Sequence, residues 1–331
     1  MIKLKILTGK EVRQVVTMAQ AIGSVKEAFI QLSTGQSILP LRTHVPVESQ
    51  DGAILFMPAY LSASDALGAK IVSIFPRNMN QNIPTIHALV VLVNPKTGQP
   101  AAVMEGTYLT ALRTGAASGV ATELLARPEA SVAAIIGAGV QGRTQLEAIC
   151  TVRAIKKVWV YDHVPEAASA YVKEMKEHGD PIPADISTTE SPTQAVREAD
   201  IICTATTSSA PVFDDSDLKT GVHINGIGSY TPEMQEIPSQ TVVRSKVIVD
   251  SLSASLAEAG DLIIPLKEGL INKEHIHGEI GSVAIGKIPA RESKDEITFF
   301  KSVGLAVQDV AVGELIRQRA AELGLGKDVE I

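Results

Sequence analysis

Two cysteines are all this chain offers for cross-linking, and Cys150 and Cys203 stand far apart, each inside an apolar run. With no CxxC pair and no neighbouring histidine, neither a disulfide framework nor thiol catalysis is expected. Buried thiols in a reducing, cytoplasmic compartment are the simpler reading. Aromatic residues are also scarce, at 4%. A core for 331 residues must then come mostly from Val, Ile, Leu and Ala, which suits helices packed on a parallel sheet. Positive charge is in deficit too. The formal net charge is −7, and no Lys/Arg run interleaves with aromatics, so the footprint of a nucleic-acid binder is missing. The start, "MIKLKILTGKEV", lacks the apolar stretch of a signal peptide, and no run approaches a membrane span, so no membrane partner is expected.

What remains is ordinary for a globular protein: 45% hydrophobic and 20% charged residues, and a length that suggests two domains. After a short strand, "TGKE" (Thr8 to Glu11) has capping-box spacing. Met18, Ile22, Val25, Phe29 and Leu32 then recur at helical intervals up to Gly35. The period shortens from about residue 53, where "AILFMPAY", "LGAKIVSIF" and "TIHALVVLV" read as strands. "NPKTGQP" supplies a turn before "AAVME", so a hairpin in a mostly antiparallel sheet is expected.

Beyond residue 105 the pattern changes. "EGTYLTALRTGAASGVATELLA" reads as a small-residue helix. The strands "SVAAIIG", "KVWVYD", "ADIICTAT", "GVHINGIG" and "KVIVDS" follow, with helical segments between several of them. That alternation predicts a doubly wound α/β domain with a parallel sheet. The tail "SVGLAVQDVAVGELIRQRAAELGLG" reads as a long amphipathic helix, capped by Ser302 and stopped by Gly324. "ARESKDEITFF" is most simply a solvated loop, and "EHIHGEI", with His275, His277 and Glu279, a surface loop rather than a metal site. No third ligand converges there, and no metal is expected. His223 precedes a buried strand end and reads as structural.

"SVAAIIGAGVQG" places Gly137, Gly139 and Gly142 as G-x-G-x-x-G between an apolar strand and a helix beginning near Val140. The first glycine permits the tight turn, the second lets a pyrophosphate approach the backbone, and the third allows close packing of helix on strand. The helix N-terminus offers N–H groups to phosphate. Asp162 ends the next strand, twenty residues after Gly142, where a carboxylate can accept the ribose hydroxyls. Its charge favours NAD(H) over NADP(H), a preference that His163 softens. "CTATT" and "NGIGS" end further strands of the same sheet, which makes Thr206, Asn225 and Gly228 candidates for the nicotinamide side. In "LRTGAASG", Arg113 sits among residues with almost no side chain. A buried arginine there needs an anion, and a protein carboxylate, a cofactor phosphate or a substrate would each serve.

The stretches "GAKIVSIFPRN", "LRTGAASGVATELLAR", "GAGVQGRTQLEA", "HINGIGSYTPEMQE" and "DEITFFKSVGLAVQDVAV" together resemble the ornithine cyclodeaminase/mu-crystallin family, over essentially the whole chain. The resemblance implies a Rossmann domain, residues 116–304, inserted into an α+β dimerisation and substrate domain, residues 1–115 plus 305–331, in a homodimer. It implies that Arg42, Lys70 and Arg113 hold the carboxylate of a small amino-acid-like substrate, with Lys70 also the catalytic proton donor or electrostatic partner. Thr85, Arg113, Val140, Gln141, Ile227, Ser302 and Val303 join the glycines, Asp162, Thr206, Asn225 and Gly228 around the cofactor by the same resemblance. His44 and His87 lie near the substrate segments as weaker acid/base candidates.

The family's cyclodeaminases carry an aspartate where this chain has Tyr230 in "NGIGSYTP". A phenol of pKa about 10 does not replace a carboxylate base at neutral pH. "GSYTPEMQE", "AEAGDLIIPLKEG" and "FFKSVGLAV" resemble most the branch that reduces cyclic ketimines, Δ1-pyrroline-2-carboxylate or Δ1-piperideine-2-carboxylate, to L-proline or L-pipecolate. Alanine dehydrogenase, ornithine cyclodeaminase and a non-catalytic, crystallin-like NAD(P)-binding protein are the alternatives that the resemblance leaves.

Overall fold

The computed structural model describes residues 2–331. The chain divides into two compact units. Unit 1 runs to Arg113 and resumes at Leu305, and unit 2 is Thr114–Gly304. In chain order the first elements are β1 (Lys3–Leu7), α1 (Gly9–Val15), α2 (Met18–Ser33), β2 (Ser37–Ile38), β3 (Thr43–Val47), β4 (Gly52–Leu61), β5 (Ala66–Ile74), β6 (Ile86–Val93) and β7 (Pro100–Glu105). The division falls within α3 (Gly106–Leu125). Next come β8 (Val132–Ile136), α4 (Val140–Val152), β9 (Lys157–Tyr161), α5 (Pro165–His178), β10 (Ile186–Thr188), α6 (Pro192–Arg197), β11 (Ile201–Thr204) and β12 (His223–Gly226). Unit 2 closes with α7 (Ser239–Arg244), β13 (Ser245–Val249), α8 (Leu252–Glu258), α9 (Gly260–Lys267), β14 (Ile276–Glu279), α10 (Ile280–Ala284) and β15 (Ile297–Lys301). The chain then returns to unit 1 as α11 (Ala306–Glu322) and β16 (Lys327–Glu330).

In unit 1 the two opening helices start as their sequence dictates. Thr8 Oγ1 accepts from Glu11 N while the Glu11 carboxylate accepts from Thr8 N, and Thr17 and Gln20 repeat the arrangement. On α2, Met18, Ile22, Val25 and Phe29 are buried. The sheet runs β16-β1-β7-β6-β5-β4-β2, with β3 also on β4, and every pairing is antiparallel except β1 with β7. Alternation along the strands sends Met57, Ala59, Val72, Val90 and Leu92 into the core, where α11 packs on β4, β5 and β6. Lys70 shares that inward face. Phe56, Ile71 and Leu89 lie in one cross-strand row on the opposite face, where Phe56 and Leu89 are exposed.

The tail helix differs from expectation at its start. Its N-cap is Leu305, whose N–H donates to Gln308 Oε1, and Ser302 lies outside it, donating to Asp250 instead. Only its second half is amphipathic. Residues 306–310 are buried on every side, because the sheet and α2 enclose them.

Unit 2 is a fully parallel sheet in the order β10-β9-β8-β11-β12-β15-β13-β14. The order reverses between β8 and β11, the topological switch point at which α/β folds bind ligands. Two sequence expectations fail in this unit. "ITFFK", read as part of a solvated loop, is β15, buried along its length between β12 and β13. Its charge, Lys301, is neutralised internally by Asp261. "EHIHGEI" contributes β14, an edge strand paired to β13 rather than a plain loop, and His275 Nε2 lies 2.8 Å from Val242 O. Among the described residues no helix is long and apolar enough to cross a membrane.

Candidate active site

Within unit 1, two basic residues meet one acid, and a third basic residue lies within electrostatic reach. Lys70 Nζ lies 3.1 Å from Asp309 Oδ1 and 3.0 Å from Oδ2, and Arg113 Nε donates to Oδ1 at 2.9 Å. Gln308 Oε1 accepts from Arg113 Nη1 at 2.6 Å and from Leu305 N at 3.1 Å. Lys70, Arg113, Gln308 and Asp309 are all buried. Burial pushes the Lys70 ammonium down to about 8. The Asp309 charge resists this, and the nearby Arg113 and half-buried Arg42 charges add to it. Two buried cations thus share one carboxylate, and a third cation lies within electrostatic reach. That surplus of positive charge fits an arriving anion, and the fork of a guanidinium suits a carboxylate.

β5 sets the position of Lys70, α3 that of Arg113, and the buried first turn of α11 that of both partners. Asp309 and Gln308 were not singled out in the sequence. Their signal is a polar pair, "QD", inside "GLAVQDVAV", where solvent-facing residues would otherwise be expected. His44 and His87 are exposed on β3 and β6. Thr85 is half-buried just before β6, and its carbonyl accepts from Phe75 N.

Within unit 2, Gly137, Gly139, Asp162 and Thr206 line one cavity of about 620 Å³, together with Ile136, His163, Ala205 and Ser208. It lies at the carboxyl ends of β8 and β11, the switch point of the sheet. Gly137 has φ +104°, and a Cβ there would meet Ala205 O at 2.6 Å. A Cβ at Gly142 would meet Gly137 O at 2.3 Å, so that glycine lets α4 pack against the turn. Gly139 faces open space and caps α4 without a side-chain bond, and the exposed Val140 follows it. Arg143 braces the turn by donating to Ala138 O and Gly139 O, and it pairs with Glu174. These features fit a dinucleotide: a helix N-terminus left open to phosphate, and a carboxylate at the cavity's edge. Asp162 is held in place, accepting from Ala138 N at 2.7 Å and from Val164 N at 2.9 Å, with His163 Nδ1 3.2 Å away.

Other predicted residues are committed elsewhere in the unit. The Asn225 side chain donates to Thr122 Oγ1, and its Oδ1 lies 3.3 Å from His223 Nε2. His223 is enclosed, and burial drives its imidazole down to about 3. Gln141 is half-buried, Ile227 is buried, and Gly228 N donates to Glu236. Ser302 Oγ and Val303 N both donate to Asp250 Oδ2. Tyr230 is exposed in the turn after β12. Burial pushes the Cys150 thiol up to about 12 and the Cys203 thiol well above its ordinary value, so neither supplies a thiolate. Among the described residues, no group of three or more His, Cys, Asp or Glu side chains could hold a metal.

The sequence profile of the ornithine cyclodeaminase/mu-crystallin family matches residues 3–324. A Δ1-pyrroline-2-carboxylate reductase of Bacillus cereus is 41% identical over 98% of this chain and 99% of its own. The solved structure of the Thermococcus litoralis Δ1-pyrroline-2-carboxylate reductase, in complex with NADH and L-proline, superposes with a TM-score of 0.94. It has 45% identity, over 98% of this chain and 100% of that one. An archaeal alanine dehydrogenase dimer with bound NAD superposes at 0.93, with 36% identity over the full length of both chains.

Proposed function

The chain belongs to the ornithine cyclodeaminase/mu-crystallin family, and on that footing we propose that it reduces a cyclic imino acid, Δ1-pyrroline-2-carboxylate or its six-membered homologue, to L-proline or L-pipecolate. One observation carries the proposal: Lys70 and Arg113 are both buried, and a single carboxylate, Asp309, stands against them. A buried excess of positive charge is costly unless an anion completes it. A carboxylate next to the C=N bond is that anion.

Arg113 and Arg42 bind the carboxylate and so fix the imine carbon, while Lys70 supplies charge or a proton toward the imine nitrogen, whose protonated form is the better hydride acceptor. Fixing the reacting geometry is worth up to about 7–11 kcal/mol in favourable cases. NADH, when bound, supplies the hydride. Gly137, Gly139 and the first turn of α4 would hold its pyrophosphate, and Asp162 its adenosine ribose. The Asp162 charge supports NAD(H) over NADP(H), because it repels a 2′-phosphate. Unit 1 serves in this reading as the substrate and dimerisation domain and unit 2 as the nucleotide domain. The exposed row of Phe56 and Leu89 is then the surface that a second copy covers.

The test follows NADH absorbance with Δ1-pyrroline-2-carboxylate, beside pyruvate plus ammonia and beside ornithine alone. Oxidation with the cyclic imine, lost in Arg113→Ala, is the expected result. Activity with pyruvate and ammonia alone would make the chain an alanine dehydrogenase, a reading favoured by the 36% identical dimer. Ammonia release from ornithine would restore the cyclodeaminase, and NADH binding without turnover of any substrate would leave a binding protein.

A further inference from the structure

Behind the wall of the unit 2 cavity lies a buried carboxylate that the proposed chemistry does not use. Glu236 follows β12 and is fully buried. Its Oε1 accepts from Thr206 N at 2.6 Å and from Thr206 Oγ1 at 2.8 Å. Its Oε2 accepts from Gly228 N at 2.6 Å and from Thr204 Oγ1 at 2.9 Å. One side chain therefore ties the segment leaving β11 to the turn leaving β12. Thr206 is itself part of the cavity wall, with Ala205, Thr207 and Ser208.

The carboxylate is anchored in turn. Glu236 N and Ile237 N donate to Asp261 Oδ1 at 2.7 and 3.0 Å, and Lys301 Nζ lies 3.1 Å from Asp261 Oδ2. Close packing removes the remaining slack. A Cβ at Gly228 would meet Thr206 O at 2.1 Å and Glu236 Oε1 at 2.5 Å, and one at Gly137 would meet Thr206 Cγ2 at 3.1 Å. The glycine turn, the Thr206 segment and the Gly228 turn are thus held in register around Glu236. An apolar side chain would fill the same space without the cost of burying a charge. What only a carboxylate provides is acceptance from donors on both segments at once.

We infer that Glu236 is a positioning residue for the dinucleotide, tying the Thr206 segment of the cavity wall, against which the cofactor lies, to the Gly228 turn behind it. The inference rests on the cofactor part of the function proposed above. Each Glu236 oxygen faces one backbone N–H, so Glu236→Gln must set its amide NH2 against one of them, whichever way the amide is turned. One segment is then released. Thr204→Val removes a single donor to Glu236, and Thr204 is not among the residues lining the cavity.

The experiment is direct NADH titration by fluorescence, with melting curves and steady-state kinetics on the same proteins. Glu236→Gln should weaken NADH binding at least about tenfold and Thr204→Val about threefold, as expected for strained or lost buried hydrogen bonds. The KM for Δ1-pyrroline-2-carboxylate at saturating NADH should stay within about twofold of wild type, because the substrate cations are untouched. Lowered melting temperatures with wild-type NADH affinity in both variants would make Glu236 a structural filler and overturn the inference. If Glu236→Gln does not fold, Thr204→Val decides alone. A wild-type protein that binds no NADH would sink both this inference and the cofactor reading. NADH binding without imine reduction would sink the substrate reading alone, and the variant affinities would still decide the role of Glu236.

Discussion

Lys70 and Asp309, 239 positions apart in the chain, grip one another inside unit 1 with both carboxylate oxygens within 3.1 Å of the ammonium. The same acid holds Arg113. Asp309→Asn keeps the shape and removes the charge, leaving two buried cations without a counter-ion. Breaking a buried pair in this way costs about 3–5 kcal/mol. Urea unfolding should show a loss of that order. A loss below about 1 kcal/mol would mean that something other than Asp309 neutralises the cluster.

The Lys70 ammonium, lowered to about 8 by burial, gives two opposite pH trends. An unfolded lysine keeps its proton to 10.5, so between about 8 and 10.5 the unfolded chain binds more protons than the folded one. The Lys70 contribution to stability therefore rises with pH across that window. Activity does the reverse. Lys70 supplies charge or a proton toward the imine nitrogen only in its charged form, so kcat/KM should fall about tenfold per unit above pH 8. Lys70→Arg keeps its charge throughout and should abolish that alkaline limb, at reduced turnover. An unchanged limb would assign it to another group.

Asp162→Ser removes the charge at the cavity's edge. NADH binding should weaken by about tenfold and discrimination against NADPH should relax, both read from cofactor KM values. The turn should also lose stability, because Ala138 N and Val164 N lose their acceptor. A wild-type preference for NADPH would contradict the assignment.

Leu89→Asp places a charge in the row formed with Phe56 and Ile71. If a second copy covers that row, the mass measured by light scattering should halve. Wild-type mass in the variant would move the interface elsewhere.

Local signals in the sequence were legible wherever the cause was local. Thr8 with Glu11 announces a helix start because both caps lie within four residues. Gly137, Gly139 and Gly142 announce the turn because backbone sterics demand glycine at two of those positions. β15 was hidden because "ITFFK" is short and enters directly from the charged "ARESKDE". Only its neighbours β12 and β13 make it a core strand. The site divides in the same way. Arg113 looked like a residue awaiting an anion, but its first anion, Asp309, is 196 positions away, and no periodicity connects them. Glu236 was illegible for the same reason, since its partners Thr204, Thr206 and Gly228 come from two strand ends.

β16 pairs with β1, and α11 lies on β4, β5 and β6, so the order of synthesis matters. A ribosome completes all of unit 2 before it makes Leu305. Until α11 emerges, Lys70 and Arg113 have no Asp309, and the inward face of β4, β5 and β6 lacks the helix that packs on all three. Unit 2 is contiguous and can fold as soon as it clears the exit tunnel, whereas unit 1 must wait for its last segment. The nascent chain therefore keeps the apolar face of that sheet without its closing helix until the last segment is made.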